Sequence, residues 1–199
     1  MAQTSFHTHA VRRLYRPDLP LFRDHLTRLD EDTRYNRFGL QVSDAYLAEY
    51  VDLCFRPDAI TYGYFEDGVI RGAAELRVFT ADDVRLRRSA EAAFSVEKPW
   101  RRRGIGTELM SHVVLAARNR RVTEITIFCL QSNQAMLRLA RKFETDLTFE
   151  RNDVTGHLVA RAPSPVSYVR EILDNALDLG SAVLEFQGRL IRSATARSN

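Results

Sequence analysis

The chain has 199 residues, 45% of them hydrophobic and 28% charged, with a formal net charge of +3. That length builds one good core, and no apolar run is long enough to cross a bilayer. Met1–Phe6 lacks the basic and apolar regions of a secretory signal, and the two lone cysteines, Cys54 and Cys129, argue against a disulfide framework, so a reducing, cytoplasmic location is expected.

Val11–Tyr15 reads as a first strand, ended by Arg16-Pro17-Asp18. Asp18 is placed to cap a helix running to about Leu29, with Leu19, Phe22, Leu26 and Leu29 on one face. A second helix begins behind Ser43 as N-cap and carries Tyr46, Leu47, Tyr50, Val51 and Leu53. Ile60–Phe65 and Val69–Phe79 flank the hairpin signal Asp67-Gly68, and Ala90–Val96 follows the charged loop Thr80–Arg88 as a third strand, stopped by Pro99. An amphipathic helix then runs from Thr107 to about Asn119, with Leu109, Met110, Val113, Val114 and Ala117 at helical spacing. Thr123–Leu130 reads as a strand, Asn133–Phe143 as a helix, and Leu147–Arg151 with Val154–Arg161 as a closing hairpin. The order predicts an α/β fold: a mixed central sheet flanked by helices. Pro163-Ser164-Pro165 marks a boundary between a domain of residues 1–162 and a C-terminal helical appendage of residues 163–199. The apolar residues of that appendage, among them Val169, Ile172, Leu173, Val183, Leu184, Phe186, Leu190 and Ile191, cannot be buried by a lone helix. Packing on the domain's own flank and a homodimer contact are both open.

The stretch from Phe94 to Thr107 carries the chemistry. A strand ends, a turn with Gly104 and Gly106 follows, and a helix begins. The first N–H groups of a helix lack intrahelical partners, and the helix dipole adds positive potential there, which suits a phosphate. Glycine lets the backbone approach such a ligand without a Cβ, and Arg101, Arg102 and Arg103 add charge. A Walker loop would need Gly-Lys-Ser/Thr, and a dinucleotide fingerprint would need a third glycine near Leu109; neither is present. The basic runs Arg85-Leu86-Arg87-Arg88 and Arg101-Arg102-Arg103 have no interleaved aromatics, so nucleic acid is set aside as a partner. His7 and His9 read as a solvated tail, and no metal is expected.

The pattern Arg-x-x-Gly-x-Gly, spelled by Arg101, Gly104 and Gly106, resembles the acyl-CoA loop of the GNAT superfamily of N-acetyltransferases. Asn133-Gln134-Ala135-Met136-Leu137 resembles that superfamily's segment in which an asparagine contacts the pantetheine arm, and residues 11–161 follow the element order of its fold. Leu29–Phe38, Ala90-Glu91-Ala92-Ala93 and Asn133–Lys142 are similar to the acetyltransferase domain of bacterial protein-lysine acetyltransferases. The resemblance implies acetyl-CoA as co-substrate, held by Phe94, Ser95, Val96, Arg101, Arg102, Arg103, Gly104, Ile105, Gly106, Thr107, Asn133 and Met136. It also implies a primary amine as acceptor, a protein lysine first, and a backbone N–H within Phe94–Val96 polarising the acetyl carbonyl.

Glu91 is the candidate general base, because an ammonium of pKa about 10.4 must lose a proton before it attacks a thioester. A small-amine acetyltransferase and a non-catalytic acyl-CoA-binding regulatory module are the alternatives. Two features depart from the superfamily. Ala140 stands where many members have a tyrosine, and Glu144-Thr145 where most have Gly-Phe. Tyr35 and Arg37 are candidates for the acceptor entrance, with packing as their other reading. Asp82, Asp83 and Glu97 are solvated loop charges that would also attract a cation, and Cys129 reads as core.

Overall fold

A computed structural model of the chain describes residues 9–79, 88–151, 153–159, 164, 166–169, 171–176 and 178. His7, Asp82, Asp83, Arg85, Leu86, Arg87 and the apolar residues 183–191 lie outside the described residues. Strand β1 (His9–Arg13) is followed by helices α1 (Leu19–Arg28), α2 (Glu31–Phe38) and α3 (Asp44–Leu53), then by β2 (Ala59–Glu66), β3 (Val69–Phe79) and β4 (Arg88–Val96). Helix α4 (Ile105–Asn119), β5 (Val122–Leu130), α5 (Gln134–Lys142), β6 (Asp146–Glu150) and β7 (Asp153–Val159) complete the order. The seven strands form one sheet in the order β1-β2-β3-β4-β5-β7-β6. The pair β4–β5 is parallel and the others are antiparallel. The expected mixed sheet flanked by helices is therefore present.

Two-residue alternation divides the sheet into two faces. Ala74, Leu76, Ala90 and Ala92 pack on the side of α4, in a core with Leu109, Met110 and Val113. The opposite face carries Ile70 and Ala73, in a core with Phe22 and Leu26 of α1 and Leu47 and Val51 of α3. Cross-strand partners share a face, and β4 pairs Glu91 with Arg77, Ala93 with Glu75 and Ser95 with Ala73. Those polar residues therefore lie on the side of α1–α3, away from α4. At the β2–β3 hairpin, Asp67 and Gly68 both take positive φ, 53° and 75°, as a tight two-residue turn requires.

Two local features differ from the sequence reading, and the turn at Glu144 adds a third observation. Residues 31–38, read only as a motif, form α2; Asp30 caps it by accepting from the Thr33 amide at 3.1 Å, and Gly39 ends it at φ 72°. Thr33 is its one buried residue, so α2 has no apolar stripe to betray it. Asp18 does not cap α1 with its side chain. Its carboxylate instead accepts both prongs of the buried Arg12 guanidinium, at 2.8 and 2.9 Å, and the Tyr15 amide at 3.1 Å. A charge-assisted fork outcompetes a cap bond there. Glu144, which replaces the usual glycine, takes the left-handed φ of 54° itself, a conformation that costs a residue with a Cβ about 1 kcal/mol.

The C-terminal residues 166–169, 171–176 and 178 are helical and touch the domain's flank. Asn119 donates to the Ser167 carbonyl at 2.9 Å and to Glu171 at 2.6 Å, Arg120 donates to Glu171 at 2.6 Å, and Asp178 accepts from the Arg13 amide at 2.7 Å. Val166, Val169, Ile172 and Leu173 are exposed. No helix among the described residues is long and apolar enough to cross a membrane.

Candidate functional site

The site begins where β4 and β5 part. Their parallel pairing runs from Arg88–Val122 to Glu91–Thr126 and stops, although β4 continues to Val96 and β5 to Leu130. β4 stays bonded to β3 as far as Val96, and β5 to β7 as far as Leu130. The β5-facing edge of residues 92–96 thus offers backbone groups to a ligand instead of to a strand.

The chain leaves β4 through a short turn of helix at Lys98–Trp100 and reaches Gly104 at φ 84°. Gly104 is the N-cap of α4 and has no side chain with which to cap it. The first helical bonds run from the Thr107 and Glu108 amides to the Gly104 carbonyl, at 2.9 and 3.1 Å. The Ile105 and Gly106 amides precede them and are left for a ligand. A Cβ on Gly104 would meet no atom within 4 Å, so the positive φ is what requires glycine there.

A cavity of about 340 Å³ opens over this junction. Phe94, Ser95, Val96, Arg101, Arg102, Gly104, Ile105, Gly106, Thr107, Asn133 and Met136, all expected at the cofactor, line it. Arg103 does not; it stands over the Trp100 ring, 5.9 Å from the centroid, and 3.5 Å from Glu66. Arg138 and Lys142 of α5, which the sequence did not single out for the site, do line it. With Arg101 and Arg102 they make a strongly basic wall, and no carboxylate among the described residues lines the cavity. Asn133 caps α5 by accepting from the Met136 amide at 3.1 Å, which aims the start of that helix at the same space.

A second cavity, of about 530 Å³, lies on the far side of Asn36 and Arg37, which line both. Its character is opposite. Glu75, Glu91, Glu150 and Asp153 line it, with Arg37 and Arg77 as the basic residues. Glu75 is spoken for: it accepts from Arg37 at 2.7 Å, from the Cys54 thiol at 3.0 Å and from the Tyr50 hydroxyl. Burial would raise the Glu75 pKa, but the Arg37 charge and these bonds outweigh it and hold the carboxyl below its ordinary value. Burial opposes the charge on Arg37 too, and Glu75 reverses that, holding Arg37 above its usual range. None of the ion pairs among the described residues involves Glu91, Glu150 or Asp153. Phe128, 61% exposed on β5, supplies an aromatic surface beside them.

The remaining candidates fall as follows. Tyr35 is exposed and lines neither cavity. Glu97 is no loose surface charge; it is buried and accepts from Arg28 at 3.1 Å and Arg71 at 3.0 Å, with His25 at 3.2 Å. His25 is fully buried, which lowers its pKa, and its other nitrogen lies 2.9 Å from the Ser95 hydroxyl. A neutral His25 that donates to Glu97 and accepts from Ser95 fits both contacts and ties α1 to the ligand-facing end of β4. Cys129 packs against the core and also borders the second cavity. Burial, with Asp153 nearby, raises its pKa, so it stays a thiol and makes a poor nucleophile. Ala140 is buried, leaving no hydroxyl at that position. Among the described residues no group of His, Cys, Asp and Glu is placed to hold a metal ion.

The family model for the acetyltransferase (GNAT) family matches residues 9–144. Among solved structures, the GNAT domain of S. lividans PAT superposes with a TM-score of 0.66 at 17% identity, over 80% of this chain and 99% of that one. A putative acetyltransferase from Salmonella typhimurium with its cofactor acetyl-CoA gives 0.59 at 18% identity, over 79% and 99%. A ribosomal-protein-alanine N-acetyltransferase from Brucella melitensis gives 0.58 at 18%, over 74% and 97%. Comparison with curated sequences finds no match.

Proposed function

The chain belongs to the acetyltransferase (GNAT) family, and on that premise we propose that it passes the acetyl group of acetyl-CoA directly to a primary amine, with Glu91 as general base and a protein lysine as acceptor. The observation that carries this reading is the division of charge between two cavities that meet at Asn36 and Arg37. The basic one suits the pyrophosphate and 3′-phosphate of CoA. The acidic one suits an ammonium and holds Glu91.

In the proposed step the pantetheine arm pairs with the free edge of residues 92–96, and the thioester points toward Glu91. Glu91 takes a proton from the ammonium, directly or through water, and the free amine attacks the carbonyl carbon. A C–N bond forms, and the carbonyl electron pair moves to oxygen, to which a backbone N–H of Phe94–Val96 donates a hydrogen bond. The pair then returns, the C–S bond breaks, CoA leaves as thiolate, and the surplus proton of the nitrogen passes to that thiolate or to solvent. A thiolate needs little help near neutral pH, so Ala140 in place of a tyrosine does not stop the reaction.

The protein-lysine acceptor is supported by the sequence similarity of Leu29–Phe38 and Ala90–Ala93. A small cationic amine is the second reading, favoured by the acidic walls and the exposed Phe128 of a cavity whose 530 Å³ falls in the range of small-molecule sites. A cytoplasmic location is supported by the two free thiols, Cys54 and Cys129. The test uses labelled acetyl-CoA and purified protein in a host lysate, split into protein and small-molecule fractions. Label in discrete protein bands supports the lysine acceptor, and label confined to the filtrate moves the acceptor to the small amine. With label in neither fraction while acetyl-CoA still binds, the transfer reading gives way to a regulatory acyl-CoA-binding module.

A further inference from the structure

Past Glu91, β4 stays paired with β3 and is no longer paired with β5. The ladder to β3 settles which backbone groups of β4 are left over. The Glu97 amide donates to the Arg71 carbonyl at 2.9 Å, and the pairs Ser95–Ala73 and Ala93–Glu75 fall in step with it. Antiparallel strands exchange both bonds at every second pair. Ser95 and Ala93 therefore bond to β3, and Phe94 and Val96 turn their N–H and C=O groups to the open side. The Val96 carbonyl accepts there from Arg101 Nε at 3.2 Å, and Arg101 lines the basic cavity. A strand end paired on one side opens locally unless something else holds it.

Ser95 and Glu97 lie two residues apart, so their side chains leave the same face of the chain, and one imidazole meets both. His25 Nε2 is 2.9 Å from Ser95 Oγ, and Nδ1 is 3.2 Å from Glu97 Oε1. The two contacts straddle Val96. Among the described residues His25 is the partner of the Ser95 hydroxyl, whereas Glu97 is also held by Arg28 of α1 and Arg71 of β3. His25 is fully buried on α1, as are Phe22 and Leu26, and a ring in a close-packed interior has little room to move. We propose that His25 is a positioning residue for acetyl-CoA: by gripping Ser95 and Glu97 it fixes the free groups of Phe94 and Val96 in the line that the pantetheine arm pairs with. This rests on the acetyl-CoA reading above and deepens it. His25 touches no reacting atom and takes no proton in the transfer; it acts through the strand. Groups that bind a substrate keep their geometry when the residues behind them are locked by packing and hydrogen bonds.

The full chain is prepared as His25→Leu, His25→Gln, Ser95→Ala and the double variant of His25→Leu with Ser95→Ala. Leucine fills the space with neither donor nor acceptor, and glutamine keeps one of each; His25→Phe takes the place of His25→Leu if that variant does not fold. The acetyl-CoA Kd is read by calorimetric titration well below each melting temperature, and the amine KM by steady-state rates. His25→Leu is expected to raise the acetyl-CoA Kd about tenfold with the amine KM within about twofold of wild type, and His25→Gln to recover most of the loss. Ser95→Ala is expected to raise the Kd about threefold, and the double variant to bind no more weakly than His25→Leu, because the two residues share one bond. A lowered melting temperature with an unchanged acetyl-CoA Kd in both single variants marks a role in stability alone and overturns the proposal. Additive losses in the double variant overturn it too, as does a loss in Ser95→Ala that His25→Leu lacks, which assigns the hydroxyl to the cofactor directly. A wild-type protein that binds acetyl-CoA and acetylates no amine overturns the transfer reading, and the Kd comparison then decides this inference by itself. A wild-type protein that does not bind acetyl-CoA overturns both.

Discussion

Replacing Glu91 with glutamine is expected to lower kcat by about a hundredfold to a thousandfold, the range of a lost general base, and to leave acetyl-CoA affinity unchanged. Glu91 lines the acidic cavity and does not line the basic one, so the proposed cofactor contacts are expected to survive the change. Glutamine keeps the shape of the side chain but cannot take the ammonium proton. The deficit should therefore shrink as pH rises toward the amine's own pKa of about 10.4, where the solution supplies free amine without a base. Steady-state rates between neutral and alkaline pH, beside calorimetric titration with acetyl-CoA, read both effects. A deficit that persists unchanged to high pH, or one that follows lost acetyl-CoA affinity, contradicts the assignment of Glu91 as base.

Removing Glu75 is expected to do the largest damage to stability. Glu75→Ala leaves the Arg37 guanidinium buried with no counter-ion, and breaking a buried pair this way costs about 3–5 kcal/mol. The loss depends on pH in a definite direction. The folded Glu75 carboxyl lies below its ordinary value, so its contribution is fully present above the unfolded pKa of about 4.3 and disappears as pH falls through the lower folded value. Urea unfolding of wild type and Glu75→Ala should show the full gap at neutral pH and a narrowing gap below about pH 4. A gap of the same size throughout acid titration, or one below about 1 kcal/mol at neutral pH, contradicts the picture of a charged, mutually dependent pair.

What the sequence discloses depends on whether a residue's role is local. The Ala90-Glu91-Ala92-Ala93 alternation puts small residues against α4 and leaves Glu91 on the other face, and that is legible from a period of two. The strand-glycine-helix junction at Gly104 is equally local. The part of the basic cavity's wall within residues 94–107 therefore emerged from one stretch of chain, with Arg103 turned away to Glu66 by a contact between distant residues, while α2 and the segment of Asn133 and α5 supply the rest. The acidic cavity did not emerge. Helix α2 has no apolar stripe, because its exposed and half-buried side chains face the cavities and solvent more than the core. Glu75 finds Arg37 across 38 residues of chain, and no spacing rule connects them. Phe128 looks like any alternating strand residue until the splay of β5 from β4 leaves it 61% exposed. Glu150 and Asp153 read as hairpin-end charges and reach the site because β7 inserts between β5 and β6.

On the proposed reading, two cavities that share Asn36 and Arg37 in their walls hold both substrates when the acetyl group moves. The most direct test is an initial-rate matrix in acetyl-CoA and an accepted amine, with intact mass of the enzyme recorded in acetyl-CoA alone. Direct transfer predicts double-reciprocal lines that intersect and an enzyme mass that does not change. Parallel lines, together with an enzyme that gains one acetyl group and gives it up on adding the amine, would show a covalent intermediate and contradict the account.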